Sequence, residues 1–167
     1  MSPVLFVVTH AAVLAYALVG GVFLAFSDFI MRSLSRTGGT GGLEAMQVIN
    51  REVFRWVFMA LFLGMAVVSA LLAGYAALAL AGPPGTLILL AGLVYLVGCF
   101  GVTVVCNVPM NEALGAMDPS EETAFAYWSD AYLPRWTFWN TVRTLACVAS
   151  AVLMLLGLTG LLQPQAA

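Results

Sequence analysis

The chain has no lysine and a single histidine, His10, and only 14 of its 167 residues are charged. A soluble domain of that length carries about 40 charges, a quarter of its residues. With 62% hydrophobic residues and a mean hydropathy of +1.01, the deficit excludes disorder and argues against a water-soluble globule. The net charge of −2 gives no electrostatic footprint for nucleic acid, and no polybasic lipid-binding patch exists. Three cysteines, Cys99, Cys106 and Cys147, all fall in apolar stretches; an odd count so placed argues against a disulfide framework. Cys99 and Cys106 are about 10 Å apart along a helix, too far to bridge, and all three read as small core residues. One histidine excludes a bis-histidine haem within the chain, and no histidine or cysteine cluster has metal-ligand spacing. No glycine-rich dinucleotide fingerprint follows a strand. A mixed His10–Met haem or an Asp/Glu metal site stays open; the expectation is no cofactor and no metal.

What is abundant is apolar sequence, in four blocks. Pro3 to Phe26 gives 24 residues with His10 as the one ionisable group, and Val57 to Ala81 gives 25 without a charge. Thr86 to Cys106 and Thr144 to Leu162 add 21 and 19, also uncharged. Each is close to the roughly 20 residues a helix needs to cross a hydrocarbon core, and lipid leaves the backbone no other hydrogen-bond partners. We expect an all-α protein: one four-helix transmembrane bundle over residues 1–167, with spans at roughly 3–27, 54–81, 86–106 and 137–162. Ala15-Tyr16-Ala17 imitates a signal-peptide cleavage site, but the block lacks a basic n-region and continues past it, so it is expected to stay as a span.

All six arginines (32, 36, 51, 55, 135 and 143) and all eight acids fall between helices 1 and 2 or between helices 3 and 4, some reaching into the flanking helix ends. Four spans put those two connections on the same side of the membrane. Arginine near helix ends favours the cytoplasm, so the expectation is polar connections cytoplasmic and termini outward, in a bacterial inner membrane.

The first connection passes a glycine-rich loop, Thr37-Gly38-Gly39-Thr40-Gly41-Gly42. From Leu43 the helical period returns, with Ala45, Met46, Ile49, Val53 and Trp56 on an apolar face and Glu44, Gln47, Arg51 and Arg55 on another side. Helix 2 is therefore expected to begin outside the bilayer, with Asn50-Arg51-Glu52 near its boundary. In the second connection, Pro109 between Asn107 and Asn111 predicts a helix break with amides satisfying the freed backbone groups, or lining a polar cavity. Asp118-Pro119-Ser120-Glu121 reads as a capped helix start, and Pro134 is expected to end or kink the short helix that follows. Trp136, Asn140 and Arg143 recur at i, i+4 and i+7 and share a face. Trp128 and Trp139 suit an interfacial anchor role as well as a site. Arg143, inside helix 4, is costly there unless it snorkels or finds a partner. Asp28, Glu52, Glu112 and Asp130 are the available partners, and a buried ion pair with amides around it is the functional reading. His10 shares a face with Ala17, Gly21 and Asp28, which is expected to pack inward and make His10 an interhelical hydrogen bonder.

These segments resemble the anthrone oxygenase-like family of small integral membrane proteins, many described only as a domain of unknown function. The residues that carry the resemblance are Gly21-Val-Phe-Leu-Ala-Phe-Ser27-Asp28-Phe29, Ala45-Met46-Gln47-Val48-Ile49-Asn50, Asn107-Val108-Pro109-Met110-Asn111-Glu112-Ala113-Leu114, and Trp128, Tyr132, Trp136, Trp139-Asn140 and Arg143. The resemblance implies a membrane oxidoreductase that oxidises anthrones to anthraquinones with dioxygen. An anthrone has an acidic C–H beside its carbonyl system, and its enolate reacts with oxygen without a metal. The chemistry asks for an apolar slot, a base, and donors aimed at the enolate oxygen. Trp136, Trp139, Phe54 and Trp56 suit the slot, and Asn107, Asn111, Asn140 and Arg143 suit the donors. Glu112, Glu52 or Asp28 suits the base, with a pKa raised by burial. The expected catalytic set is Asn107, Asn111, Glu112, Asn140 and Arg143; the expected substrate-binding set is Asp28, Asn50, Glu52, Arg55, Trp128, Trp136 and Trp139. Partners are the lipid bilayer, a lipophilic anthrone- or quinone-like substrate and dioxygen, and either self-association or a membrane partner chain. The competing reading is a non-enzymatic ligand-binding module or an accessory subunit of a larger membrane complex. A transporter would need a midplane charge that helices 2, 3 and 4 lack.

Overall fold

The computed structural model describes residues 2–163, the side chain of Trp56 excepted. Five helices account for nearly all of them: α1 (Pro3–Leu34), α2 (Gly41–Glu52), α3 (Trp56–Ala79), α4 (Gly82–Gly115) and α5 (Glu122–Leu162). All but α2 are long and apolar enough to cross a membrane. The exterior supports the same conclusion: Leu78 is 90% exposed, Val57 84% and Val4 72%, a surface water would not tolerate. The chain is an all-helical, four-span bundle.

Helix association in lipid rests on close packing and interhelical hydrogen bonds, because hydrocarbon already solvates apolar side chains. The bundle uses both. α5 packs along α1 and α4, and α3 packs on α4 and touches α1. A side chain at Gly157 would place its Cβ 2.7 Å from Ile88 Cγ1 and 3.0 Å from the Pro84 carbonyl, so α5 meets the start of α4 almost backbone to backbone. Tyr16 shares a hydrogen bond with Ser69 at 2.8 Å, and Tyr95 donates to the Phe62 carbonyl at 3.0 Å. Cys99 and Cys147, both buried, bring their Sγ atoms to 3.4 Å across the α4–α5 contact, as core thiols.

A second, smaller core closes the polar end. Met31, Leu43, Met46, Leu114, Trp128, Tyr132 and Trp136 are buried together there, joining α2 to the ends of α1, α4 and α5. Gln47, expected on the polar side of α2, is buried instead, where its amide donates to the Leu114 and Met117 carbonyls at 2.8 and 3.0 Å. That amide ties α2 to the last turn of α4 and to the turn that follows it.

Several boundaries differ from those the sequence predicts. α2 and α3 are separate: Val53–Arg55 leaves the helix, and Arg55 turns extended (φ −71°, ψ 156°) to start α3. Pro109 does not break α4, and Pro134 does not end or kink-terminate α5. Each is preceded by a wide π turn, at Thr103–Asn107 and Tyr127–Tyr132, and each lies at the start of the α-helical segment that follows. A proline there lacks only a donor that has no standard partner. Asp118 accepts from the Ser120 N–H and hydroxyl at 2.9 and 2.7 Å, which holds its carboxyl below the usual carboxylate range. It makes a turn, and α5 starts at Glu122 with Glu121 in the cap position. Ala17, Gly21 and Asp28 face outward with His10, so α1 presents the opposite face to that expected. The inward residues are Ala12, Tyr16, Val19, Gly20 and Phe23. His10 bonds its own helix, Nδ1 to the Phe6 carbonyl at 2.7 Å; an exposed local contact satisfies it without any second helix.

Candidate functional site

The regular α-helical stretch of α5 does place Trp136, Asn140 and Arg143 on one face, and all three are buried. Asn140 is the hinge of the arrangement. Its amide nitrogen donates to the Phe23 carbonyl and to Ser27 Oγ, both at 2.6 Å. Its Oδ1 accepts from Arg143 Nη2 at 2.8 Å. Arg143 Nη1 donates to Thr103 Oγ1 at 3.2 Å, and Thr103 donates in turn to the Cys99 carbonyl at 2.8 Å. The guanidinium carbon lies 4.2 Å from the centre of the Phe23 ring and 5.2 Å from that of Trp136. These faces carry the negative side of the ring quadrupole toward the cation.

No buried ion pair forms among the described residues. Among the described residues the one salt bridge joins Arg55 to Glu52 at 2.5 Å, on the surface. Asp28, Glu52, Glu112 and Asp130 are all exposed; none reaches Arg143. Arg143 is 4% exposed, and its Nε has no hydrogen-bond partner among the described residues.

Above this cluster a second group of polar side chains meets. Asn111 Oδ1 accepts from Tyr132 Oη and from Trp136 Nε1, both at 2.8 Å. Asn50 donates to Tyr132 Oη at 3.3 Å. Trp128, Tyr132 and Trp136 stack in sequence, with centroids 5.5 and 6.2 Å apart. Asn107 donates to the Trp136 carbonyl at 3.3 Å, while its buried Oδ1 is unpaired.

Between the two groups lies a cavity of about 260 Å³. Phe23, Phe58, Phe62, Phe100 and Trp136 give its wall an aromatic character, with Met46 and Met59 beside them. Its polar rim is Asn50, Asn111, Thr103 and Arg143. A mostly apolar pocket with a few convergent polar groups is the usual form of a small-molecule site. All five helices and the α2–α3 break supply the walls. The π turn at Thr103–Asn107 begins with Thr103, which meets Arg143 about two turns before Asn111.

Of the residues the sequence singles out, Asn50, Asn111, Trp136 and Arg143 line this cavity, as does Phe54. Asn107 and Asn140 stand behind it and hold the lining in place. Asp28, Glu52, Arg55, Glu112, Trp128 and Trp139 do not line it. Glu52, Arg55 and Glu112 are exposed, Trp128 belongs to the polar-end core, and Trp139 packs against Phe138. The Trp56 side chain lies outside the described residues. Thr103, Phe23 and Phe62 are lining residues that sequence reasoning missed; nothing in their spacing separates them from ordinary span residues. Among the described residues no three His, Cys, Asp or Glu side chains converge to hold a metal.

No curated protein and no solved structure matches the chain. A family model described as anthrone oxygenase matches residues 51–153, well over half of the sequence. That stretch carries Thr103, Asn107, Asn111, Trp136, Asn140 and Arg143 and leaves Phe23 and Asn50 outside. By this match the chain belongs to the anthrone oxygenase family.

Proposed function

We propose that the protein is a membrane-embedded oxygenase that converts a lipophilic, enolisable aromatic of the anthrone type to its quinone, without a cofactor. The observation that carries the reading is the aromatic cavity with Arg143 in its rim. A flat polycycle fits between phenylalanine and tryptophan walls, and a developing enolate oxygen is stabilised by a guanidinium in a site of low polarity. Asn111 spends its Oδ1 on Tyr132 and Trp136, which leaves its NH2 to donate to the ligand. Asn107 and Asn140 act as positioning residues. The overall conversion balances as a CH2 group plus dioxygen giving a carbonyl plus water. The enolate carbon gives electrons to dioxygen, a C–O bond forms, and the O–O bond breaks as the second C–H proton leaves.

The cytoplasmic side of a bacterial inner membrane is the proposed location of the polar end, from the arginines there. The absence of any carboxylate from the cavity lining favours one second reading, a membrane module that binds such a molecule without turning it over. Oxygen-dependent conversion of anthrone to anthraquinone by the purified protein, against the spontaneous rate, separates the two. Acceleration lost in Arg143→Leu and Asn111→Ala, with both variants folded, is the expected result. No acceleration by the wild type leaves the binding module.

A further inference from the structure

Arg143 is the one buried charge among the described residues: all eight carboxylates and the other five arginines are exposed. Its hydrogen bonds go to neutral acceptors, Thr103 and Asn140, and its Nε is unpaired. A cation held this way in a membrane helix is costly unless an anion reaches it. The cavity it lines offers none of its own. The titratable groups that act on the guanidinium are Cys99 and Cys106 from α4 and Cys147 and Tyr132 from α5; α1 lays the Phe23 ring against it, and the one acid of α1, Asp28, is exposed. None of those four lines the cavity. Cys99 and Cys147 contact each other, and the Tyr132 hydroxyl donates to Asn111. The cavity therefore has a counter-charge for an anion and no side chain able to take a proton from a neutral ligand.

Resting on the oxygenase reading of the same site, we infer that the cavity selects its ligand already ionised, as a lipophilic monoanion (an enolate or phenolate) paired with Arg143, the proton having been left in water. The ligand class is a weak acid with an aromatic body, and the protein shifts the acid's ionisation instead of supplying a base.

The test uses 2-hydroxyanthraquinone, whose absorption distinguishes phenol from phenolate, bound anaerobically to the full chain in nanodiscs, with empty nanodiscs as the reference. Bound dye is expected to ionise about one to two pH units lower than dye in empty discs, the size of shift one nearby opposite charge produces. The shift should vanish in Arg143→Gln and persist in Arg143→Lys. Should Arg143→Gln fail to fold, 2-methoxyanthraquinone, which cannot ionise, replaces it and is expected to bind wild type at least tenfold more weakly. Dye bound as the phenol, or an ether that binds equally well, overturns the inference. A second readout is kcat/KM against pH for anthrones of differing acidity. Its apparent pKa is expected to move with the substrate; a value fixed across the series reveals a protein base and overturns the inference. Anaerobic binding of the anion without oxygen-dependent turnover instead keeps the inference and sinks the oxygenase.

Discussion

Asn140 holds three groups at once, the Phe23 carbonyl, Ser27 and Arg143, so its truncation should be felt twice. Asn140→Ala removes the tie between α1 and α5 and leaves Arg143 with Thr103 alone. We expect a loss of about 1–2 kcal/mol in stability, the range for interhelical side-chain hydrogen bonds in membranes, read from thermal unfolding in detergent. Anthrone turnover should fall by more than stability does, because a loosened guanidinium misses the enolate oxygen. Equal activity at reduced stability would reduce Asn140 to a structural residue. That Trp136, Asn140 and Arg143 share a face was legible because Leu133–Leu162 is regular α-helix and the 3.6-residue period holds there. The partner of Arg143 was not legible. An acid nearby in sequence suggested an ion pair, whereas the fold turns every carboxylate outward and leaves the cation an amide, a hydroxyl and two aromatic faces.

At the level of the helix, the π turns explain why neither Pro109 nor Pro134 ends a helix. Each wide turn displaces the residues that follow, so Asn107 and Asn111 cannot be placed by counting in steps of 3.6. Each also absorbs a proline that sequence rules treat as a helix end. The orientation of α1 was hidden for another reason: it is apolar all round, and small residues at Ala17 and Gly21 face outward while Gly20 meets Cys147. Apolar periodicity has nothing to contrast with in a helix solvated by lipid. Packing distances do discriminate. Gly157→Ala should destabilise by about 1–3 kcal/mol, since its Cβ would arrive 2.7 Å from Ile88 in a contact with little room to give. Gly21→Ala, where nothing lies within 4 Å, should leave the unfolding midpoint unchanged or slightly raised. Equal effects at the two sites would contradict the α4–α5 contact described here.

Across the whole molecule, the four spans were readable from hydropathy and length, and the polar end from where the charges fall. The cavity was not, because its wall is built largely of apolar side chains from all five helices, far apart in the chain. One-sidedness has a direct check. Ser35→Cys and Ser120→Cys, both at exposed positions, should react with a membrane-impermeant maleimide in inside-out vesicles and stay protected in right-side-out ones. Labelling of the two from opposite sides would contradict the fold; labelling of both from outside would reverse the proposed orientation.

The helices are unequal in length, and this sets where a ligand meets the protein. α1 with 32 residues and α4 with 34 run about 50 Å, well past a hydrocarbon core of about 30 Å, whereas α3 with 24 barely exceeds it. Val53 and Phe54 line the cavity at the break where α2 gives way to α3. With α3 filling the hydrocarbon core, that break falls at the depth of the lipid glycerols and Phe58 and Phe62 among the acyl chains. A molecule that floats at that depth arrives by sliding within the leaflet. Catalysis should then obey surface dilution: adding inert phospholipid at fixed total anthrone should slow turnover in proportion to the fall in its mole fraction, while changing the aqueous volume should leave the rate alone.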